Sequence, residues 1–203
     1  MARPRTVADD EILAATARAI GRLGPARLTL AEAAEEAGLA PATLVQRFGS
    51  KRGLLLALSE RSVDHGAAAL RRARSRRSSP LGALRAGLVA LAGPVSDPET
   101  FANHLAFLQL DLGDPEFHRH AKAHFDAVRD EIRALLDEAV AACELRPCDT
   151  RRLARTVQAT YNGALVTWAV QGHGTLARWL RRELDAVLEP HSPRLARRTI
   201  EPR

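Results

Sequence analysis

Four polar side chains in the first quarter of the chain, Thr43, Gln46, Arg47 and Lys51, have the types and spacing to engage nucleic acid. A hydroxyl and an ammonium bond phosphate oxygens, whereas an amide and a guanidinium can bridge two groups on one base edge. Thr43 and Lys51 are therefore expected to position the chain on a DNA backbone, and Gln46 and Arg47 to read bases. A second set suggests metal chemistry. His120 and His124 stand one helical turn apart, with Asp111, Asp114 and His118 nearby, and two histidines at this spacing can chelate a divalent ion. His118 and His120 cannot share a helix face, however, and no His-Glu-x-x-His pattern supplies a base, so neither a metal nor another cofactor is expected. No catalytic residues are expected either, since a Gly-rich phosphate loop, a nucleophile elbow and paired carboxylates on a recognisable scaffold are all missing. Cys143 and Cys148 lack Cys-x-x-Cys spacing and read as reduced thiols.

The elements that must position the polar set are spelled out in the run from Arg27 to Lys51. Thr29 followed by Glu32 is a capping box, in which hydroxyl and carboxylate each satisfy a free backbone N–H. Leu30, Ala33, Ala34 and Ala37 follow at helical spacing, and Gly38 stands where a left-handed residue ends the helix. Leu39 fills the corner, and Pro41 suits the first turn of a second, short helix that ends near Gly49. Two brief helices joined by a tight turn form a helix-turn-helix, the unit that lays its second helix in the DNA major groove.

The order of Thr29, Gly38, Pro41-Ala42-Thr43-Leu44, Phe48-Gly49-Ser50-Lys51 and the apolar Leu54 to Leu58 resembles the N-terminal domain of tetracycline-repressor-type (TetR-like) regulators. The resemblance covers about residues 7–60. It implies a DNA-binding head, in which Thr29, Pro41, Ala42, Thr43, Gln46, Arg47 and Lys51 are the candidate contacts, without carrying over the family's base contacts. Three positions depart from the family pattern: Val45 stands where an aromatic phosphate contact is usual, Ala40 replaces a polar cap, and Ala31 lies where some relatives carry a base-reading side chain.

Composition agrees with an all-α protein. The chain has 203 residues, 46% of them hydrophobic, enough for one medium or two small domains. Ala and Leu abound, nearly every segment has a 3.6-residue period, and long β-branched alternation is missing. No apolar stretch reaches the roughly 18 residues of a membrane span, and the N-terminus lacks a secretory apolar core, so a cytoplasmic protein without membrane contact is expected. A formal net charge of +6 suits nucleic acid. The Arg71 to Arg77 cluster, though, reads as the solvated end of a helix, where the dipole favours cations.

Helices are expected over a first segment capped by Thr6 and Asp9 and ending at Gly24-Pro25, then the two motif helices. A long helix runs from Ser50 to about Arg77, followed by segments at Leu81–Leu91, Pro98–Leu112, Pro115–Cys143 and a final pair beginning near Thr150. Three regions follow: a helix-turn-helix domain over 1–50, a helical effector and dimerisation domain over 51–190, and a flexible tail over 191–203.

In the final pair, Leu153, Val157, Tyr161, Leu165 and Trp168 form one apolar stripe, while Ala159, Gly163, Val166 and Val170 form another. A helix apolar on two faces must bury both, either at the centre of a monomer or against a second chain. The resemblance implies a homodimer through the last two helices, adding Leu176 and Leu180. The segments around Phe101–Leu112, Phe117–Ala141 and Tyr161–Trp168 mix apolar and aromatic residues with scattered polar ones. That pattern fits a small-molecule pocket as well as an ordinary core. The resemblance implies an effector site, for which Phe101, His104, Leu105, Phe107, Leu108, Phe125, Tyr161, Asn162 and Trp168 are the candidates. The expected protein is a homodimeric repressor that leaves its DNA operator when a small apolar or amphipathic effector binds. A helical-bundle enzyme or carrier with a purely structural N-terminal motif, or an activator without such an effector, is the alternative.

Overall fold

The computed structural model describes residues 7–193, all helices and connections, with no strand among them. Helix α1 (Asp9–Arg27) begins with three carboxylates, Asp9, Asp10 and Glu11, opposite the positive end of its dipole. Its N-cap is Ala8, whose side chain makes no cap bond, and Thr6, expected there, lies outside the described residues. Gly24 breaks the helical conformation just before Pro25, where the sequence places the end. Helix α2 (Leu30–Glu36) carries the full capping box: the Glu32 N–H donates to Thr29 Oγ1 at 3.2 Å and the Thr29 N–H to Glu32 Oε2 at 2.6 Å. Gly38 has φ +67°, and the Leu39 N–H turns back to the Ala34 carbonyl at 2.8 Å. Helix α3 (Pro41–Phe48) then leaves at a new angle.

Ile12, Ile20, Leu28, Ala33, Ala34, Leu44 and Leu54 make the core of this head. Arg18 and Arg22 reach from α1 to Glu36 of α2, and Arg61 pairs with Asp10 at 2.9 Å. Thr29→Ala removes the cap and is expected to cost roughly 0.5–2 kcal/mol. At Gly38 an added Cβ meets nothing within 4 Å, so Gly38→Val isolates the backbone cost of positive φ, roughly 1–2 kcal/mol. Thermal melts measure both, and a Gly38→Val protein as stable as its parent would contradict the turn geometry.

Helix α4 (Lys51–Ser75) starts where α3 ends, capped by Ser50, which accepts from the Gly53 N–H at 3.1 Å. At about 1.5 Å per residue its 25 residues span roughly 37 Å, enough to carry the head's geometry into the body. The body comprises α5 (Pro80–Leu91), α6 (Pro98–Gly113), α7 (Pro115–Ala141), α8 (Thr150–Gln171) and α9 (Leu176–Leu188). Proline opens α5, α6 and α7, each behind a Ser or Asp cap, because the first turn has no use for the missing N–H.

Helices α4 and α7 cross tightly at Gly66: a Cβ there would sit 2.4 Å from His124 Cε1 and 2.9 Å from Val128. The body core gathers Leu70, Leu84, Leu88, Ile132, Leu135 and Leu136 with Val157, Leu180, Leu184 and Leu188. Head and body share apolar contact, since Phe117 of α7 is buried in the head's core. In the arginine cluster, Arg71 and Arg74 reach Glu131 and Glu138 of α7, while Arg72, Arg76 and Arg77 are exposed. Residue 191, where a flexible tail is expected to begin, is held in place: the Arg146 N–H donates to the His191 carbonyl at 2.8 Å. Residues 194–203 lie outside the described ones.

Candidate DNA-binding surface and effector cavity

One side of α3 is anchored by the fully buried Leu44, so Pro41, Ala42, Val45 and Gln46 point outward and Thr43 lies half-buried beside them. Val45, noted in the sequence only for the aromatic ring it lacks, is 49% exposed between Ala42 and Gln46. A branched apolar tip there can meet a thymine methyl in the major groove. Two expected contact residues are turned toward the protein. Arg47, expected to read bases, bonds the Val7 carbonyl at 2.6 Å and Asp9 at 3.0 Å, holding α3 against the start of α1. Lys51 donates to the Ala26 carbonyl at 3.2 Å, at the end of α1. Each keeps further N–H donors for phosphate. The Thr29 hydroxyl accepts its cap bond and retains its proton for the same purpose.

A cavity of about 310 Å³ lies where head and body meet. Ala17 and Ile20 of α1, Leu58, Ser59 and Ser62 of α4, His104, Phe107, Leu108 and Asp111 of α6, and Ala121, His124 and Phe125 of α7 form its walls. Phe107 meets Phe117 edge-on with ring centroids 6.2 Å apart, which fixes that wall to the head's core. His124 Nδ1 stands 2.7 Å from the Ser62 carbonyl. A carbonyl only accepts, so Nδ1 carries the proton and donates. Burial pulls the pKa of both His104 and His124 below the ordinary histidine value, leaving both neutral at pH 7. Ser59 is 3% exposed, and its Oγ has no hydrogen-bond partner.

Of the residues expected around an effector, His104, Phe107, Leu108 and Phe125 line this cavity. The others do not. Tyr161 and Trp168 are buried in the body's own core, and the Trp168 indole N–H donates to the Gly174 carbonyl at 3.1 Å, closing the α8–α9 turn. Leu105 is 42% exposed and points away, while Phe101 and Asn162 are half-buried outside the cavity walls. The physical reason is the roll of α8: its Tyr161–Trp168 stripe is needed to close the core against α9 and α7. Ala17, Ile20, Leu58, Ser59, Ser62, Asp111 and Ala121 were missed as wall residues. They come from four helices, and no spacing in one segment links them. For metal binding, no group of three or more His, Cys, Asp or Glu among the described residues could hold an ion.

Desolvation pushes the Asp111 carboxyl up to about 6, with His118 pulling weakly the other way. The folded chain thus holds this proton more tightly than the unfolded chain does. Asp111 favours folding most below the ordinary carboxylate value, and its contribution is lost as pH rises toward 6. Asp111→Asn is accordingly expected to stabilise the protein at pH 7.5 by on the order of 1 kcal/mol, a figure reduced for the site's partial exposure. At pH 3.5 no gain is expected. Denaturant titration at both pH values checks the sign.

The second apolar stripe of α8 is uncovered. Ala159, Gly163, Val166 and Val170 all lie on its exposed face, Val170 being 82% exposed, and a Cβ at Gly163 would meet nothing within 4 Å. Leu176 and Leu180, expected beside them in an interface, instead point inward at 8% and 0% exposure. The apolar side of α9 repeats at Leu176, Leu180, Leu184 and Leu188 and is wholly used in covering the body core. Its outer side carries Arg178, Arg181, Arg182 and Asp185.

A three-helix head with a capped helix-turn-helix, joined by a long helix to a helical body, defines a two-part, all-α helix-turn-helix regulator. The sequence matches the model for bacterial regulatory proteins of the tetR family over residues 12–58. It also matches the model for the C-terminal domain of BetI-type transcriptional repressors over residues 80–189. The chain belongs to the TetR family and is a DNA-binding transcriptional regulator. No curated protein matches it significantly.

Solved structures share the fold across nearly the whole chain. A TetR regulator from Haloarcula marismortui, 17% identical, superposes with a TM-score of 0.74 over 91% of this chain and 98% of its own. SmeT, the repressor of the Stenotrophomonas maltophilia multidrug efflux pump SmeDEF, is 24% identical, with a TM-score of 0.66 over 93% of this chain and 92% of its own. The SmeT–triclosan complex gives a TM-score of 0.69 at 23% identity, with 92% of each chain covered. No helix among the described residues is long and apolar enough to cross a membrane.

Proposed function

We propose that this regulator is a cytoplasmic homodimeric repressor without catalytic activity, released from its operator by a small molecule bound at the head–body junction. The observation that carries the reading is the composition of the cavity wall: Ala17 and Ile20 belong to the DNA-binding head, and the rest to α4, α6 and α7. Anything that fills the cavity presses on both parts at once. Helix α6 is tied to the head, and the turn into α7 is tied to the first turn of α4. Asn103 Nδ2 donates to the Gly21 carbonyl at 2.9 Å, and Arg52, next to the start of α4, pairs with Asp114 at 2.8 Å and Glu116 at 2.7 Å. No residue of α6 is fully buried, yet Phe107 and Leu110 pack against the head's core, so a shift of α6 is passed on to the head. A ligand that prefers a shifted α6 would change the separation of the two recognition helices in the dimer, and operator affinity would fall by population shift. SmeT, described both as a repressor and in complex with triclosan, supports the analogy.

In the dimer, the exposed stripe of α8 packs against its copy, and each α3 enters a major groove of one half-site. The test is to select bound DNA from a random pool with the purified full-length protein, then screen compounds for release. The reading requires two half-sites about one helical turn apart, or a multiple of that, and at least one releasing compound. Failure to enrich any sequence would overturn it. Arg52→Ala should leave ligand affinity intact while shrinking the roughly 1–3 kcal/mol coupling between ligand and DNA. Paired titrations of ligand with and without operator measure that coupling.

A further inference from the structure

The junction cavity carries one carboxylate with no cation to neutralise it. Asp111 offers an acceptor-only carboxylate, and no cation or N–H donor among the described cavity walls pairs with it. His124 spends its one proton on the Ser62 carbonyl, so its Nε2 is left as a second acceptor. The Ser59 hydroxyl, at 3% exposure, is unpartnered and can accept or donate. No Lys or Arg lines the cavity. The titratable groups facing Asp111 are His104 on its own helix and His118 and His124 on α7, while the α1 and α4 walls add none. An anionic guest would therefore oppose an unneutralised carboxylate, and a neutral guest would leave that charge unpaired.

We propose that the cavity takes a primary ammonium carried on a compact apolar or aromatic body. An –NH₃⁺ group has three donors and no acceptor, matching Asp111, Nε2 of His124 and the Ser59 hydroxyl, while Phe107, Leu108 and Phe125 receive the apolar part. The volume of about 310 Å³ stands at the small end of ligand sites, which limits the body to roughly one ring. This inference rests on the cavity being the effector site.

The experiment is calorimetric titration of the full-length protein at pH 7.5 with four matched probes: 2-phenylethylammonium, its N-trimethylated form, 2-phenylethanol and phenylacetate. The primary ammonium is expected to bind about tenfold or more tightly than each of the others, the scale of a charge-assisted hydrogen bond. Trimethylation keeps the charge and removes the donors, so it separates simple charge pairing from the donor match. In Asp111→Asn the ammonium's advantage over the alcohol should fall to within about twofold. Should that variant not fold, Ser59→Ala must still weaken the ammonium more than the alcohol. Equal or tighter binding of the alcohol, the carboxylate or the trimethyl compound overturns the proposal. So does an advantage that survives Asp111→Asn, or no binding by any probe. Anisotropy of a labelled operator complex separates the two readings. Asp111-dependent binding without DNA release upholds this inference and defeats the effector mechanism. Release by the alcohol or carboxylate alone does the reverse.

Discussion

Replacing Thr43 and Gln46 together with alanine is expected to abolish sequence-selective operator binding while leaving the melting temperature nearly unchanged. Gln46 points away from the protein, and Leu44, which anchors α3, is untouched. A bidentate amide–adenine contact discriminates by roughly 1–3 kcal/mol, so two recognition helices in one dimer stand to lose roughly 2–6 kcal/mol. Anisotropy titration against a selected operator reads this loss directly, and full selective binding by the double variant would remove α3 from the interface. Arg47→Ala should behave differently. Its guanidinium ties α3 to Val7 and Asp9, so affinity and stability should fall together, the latter by no more than about 1 kcal/mol for so exposed a pair.

Val170→Asp combined with Gly163→Trp is expected to give a folded monomer that binds the operator about 100-fold or more weakly, the scale on which avidity is lost. Both positions face solvent in the single chain, one 82% exposed and the other with open space where a side chain would start, so the monomer has no reason to unfold. Sedimentation at micromolar concentration reports the assembly state and circular dichroism the fold. A parent protein that sediments as a monomer would defeat the dimer reading. Leu180→Asp makes the contrast: its side chain is fully buried in the body core, so a buried, unpaired charge should unfold the chain before any interface is tested.

What the sequence by itself determined was local. Thr29, Glu32, Gly38 and Pro41 act over three or four residues through backbone hydrogen bonds and φ preferences, so their geometry is the same in any surroundings. They placed the helix-turn-helix correctly. The two faces of α8 were also legible, because helical periodicity alone puts Ala159, Gly163, Val166 and Val170 on a different side from Val157, Tyr161 and Trp168. Which face meets the chain's own core was decided only by tertiary packing. A side chain's partner across 60 or 100 residues depends on how neighbouring helices roll, and no local pattern records the roll. Thus Trp168 and Leu180, indistinguishable in sequence from pocket or interface residues, became core. Arg47 turned back to α1, and Asp111, once one weak metal candidate among five, became the one acidic group of a cavity built from four helices.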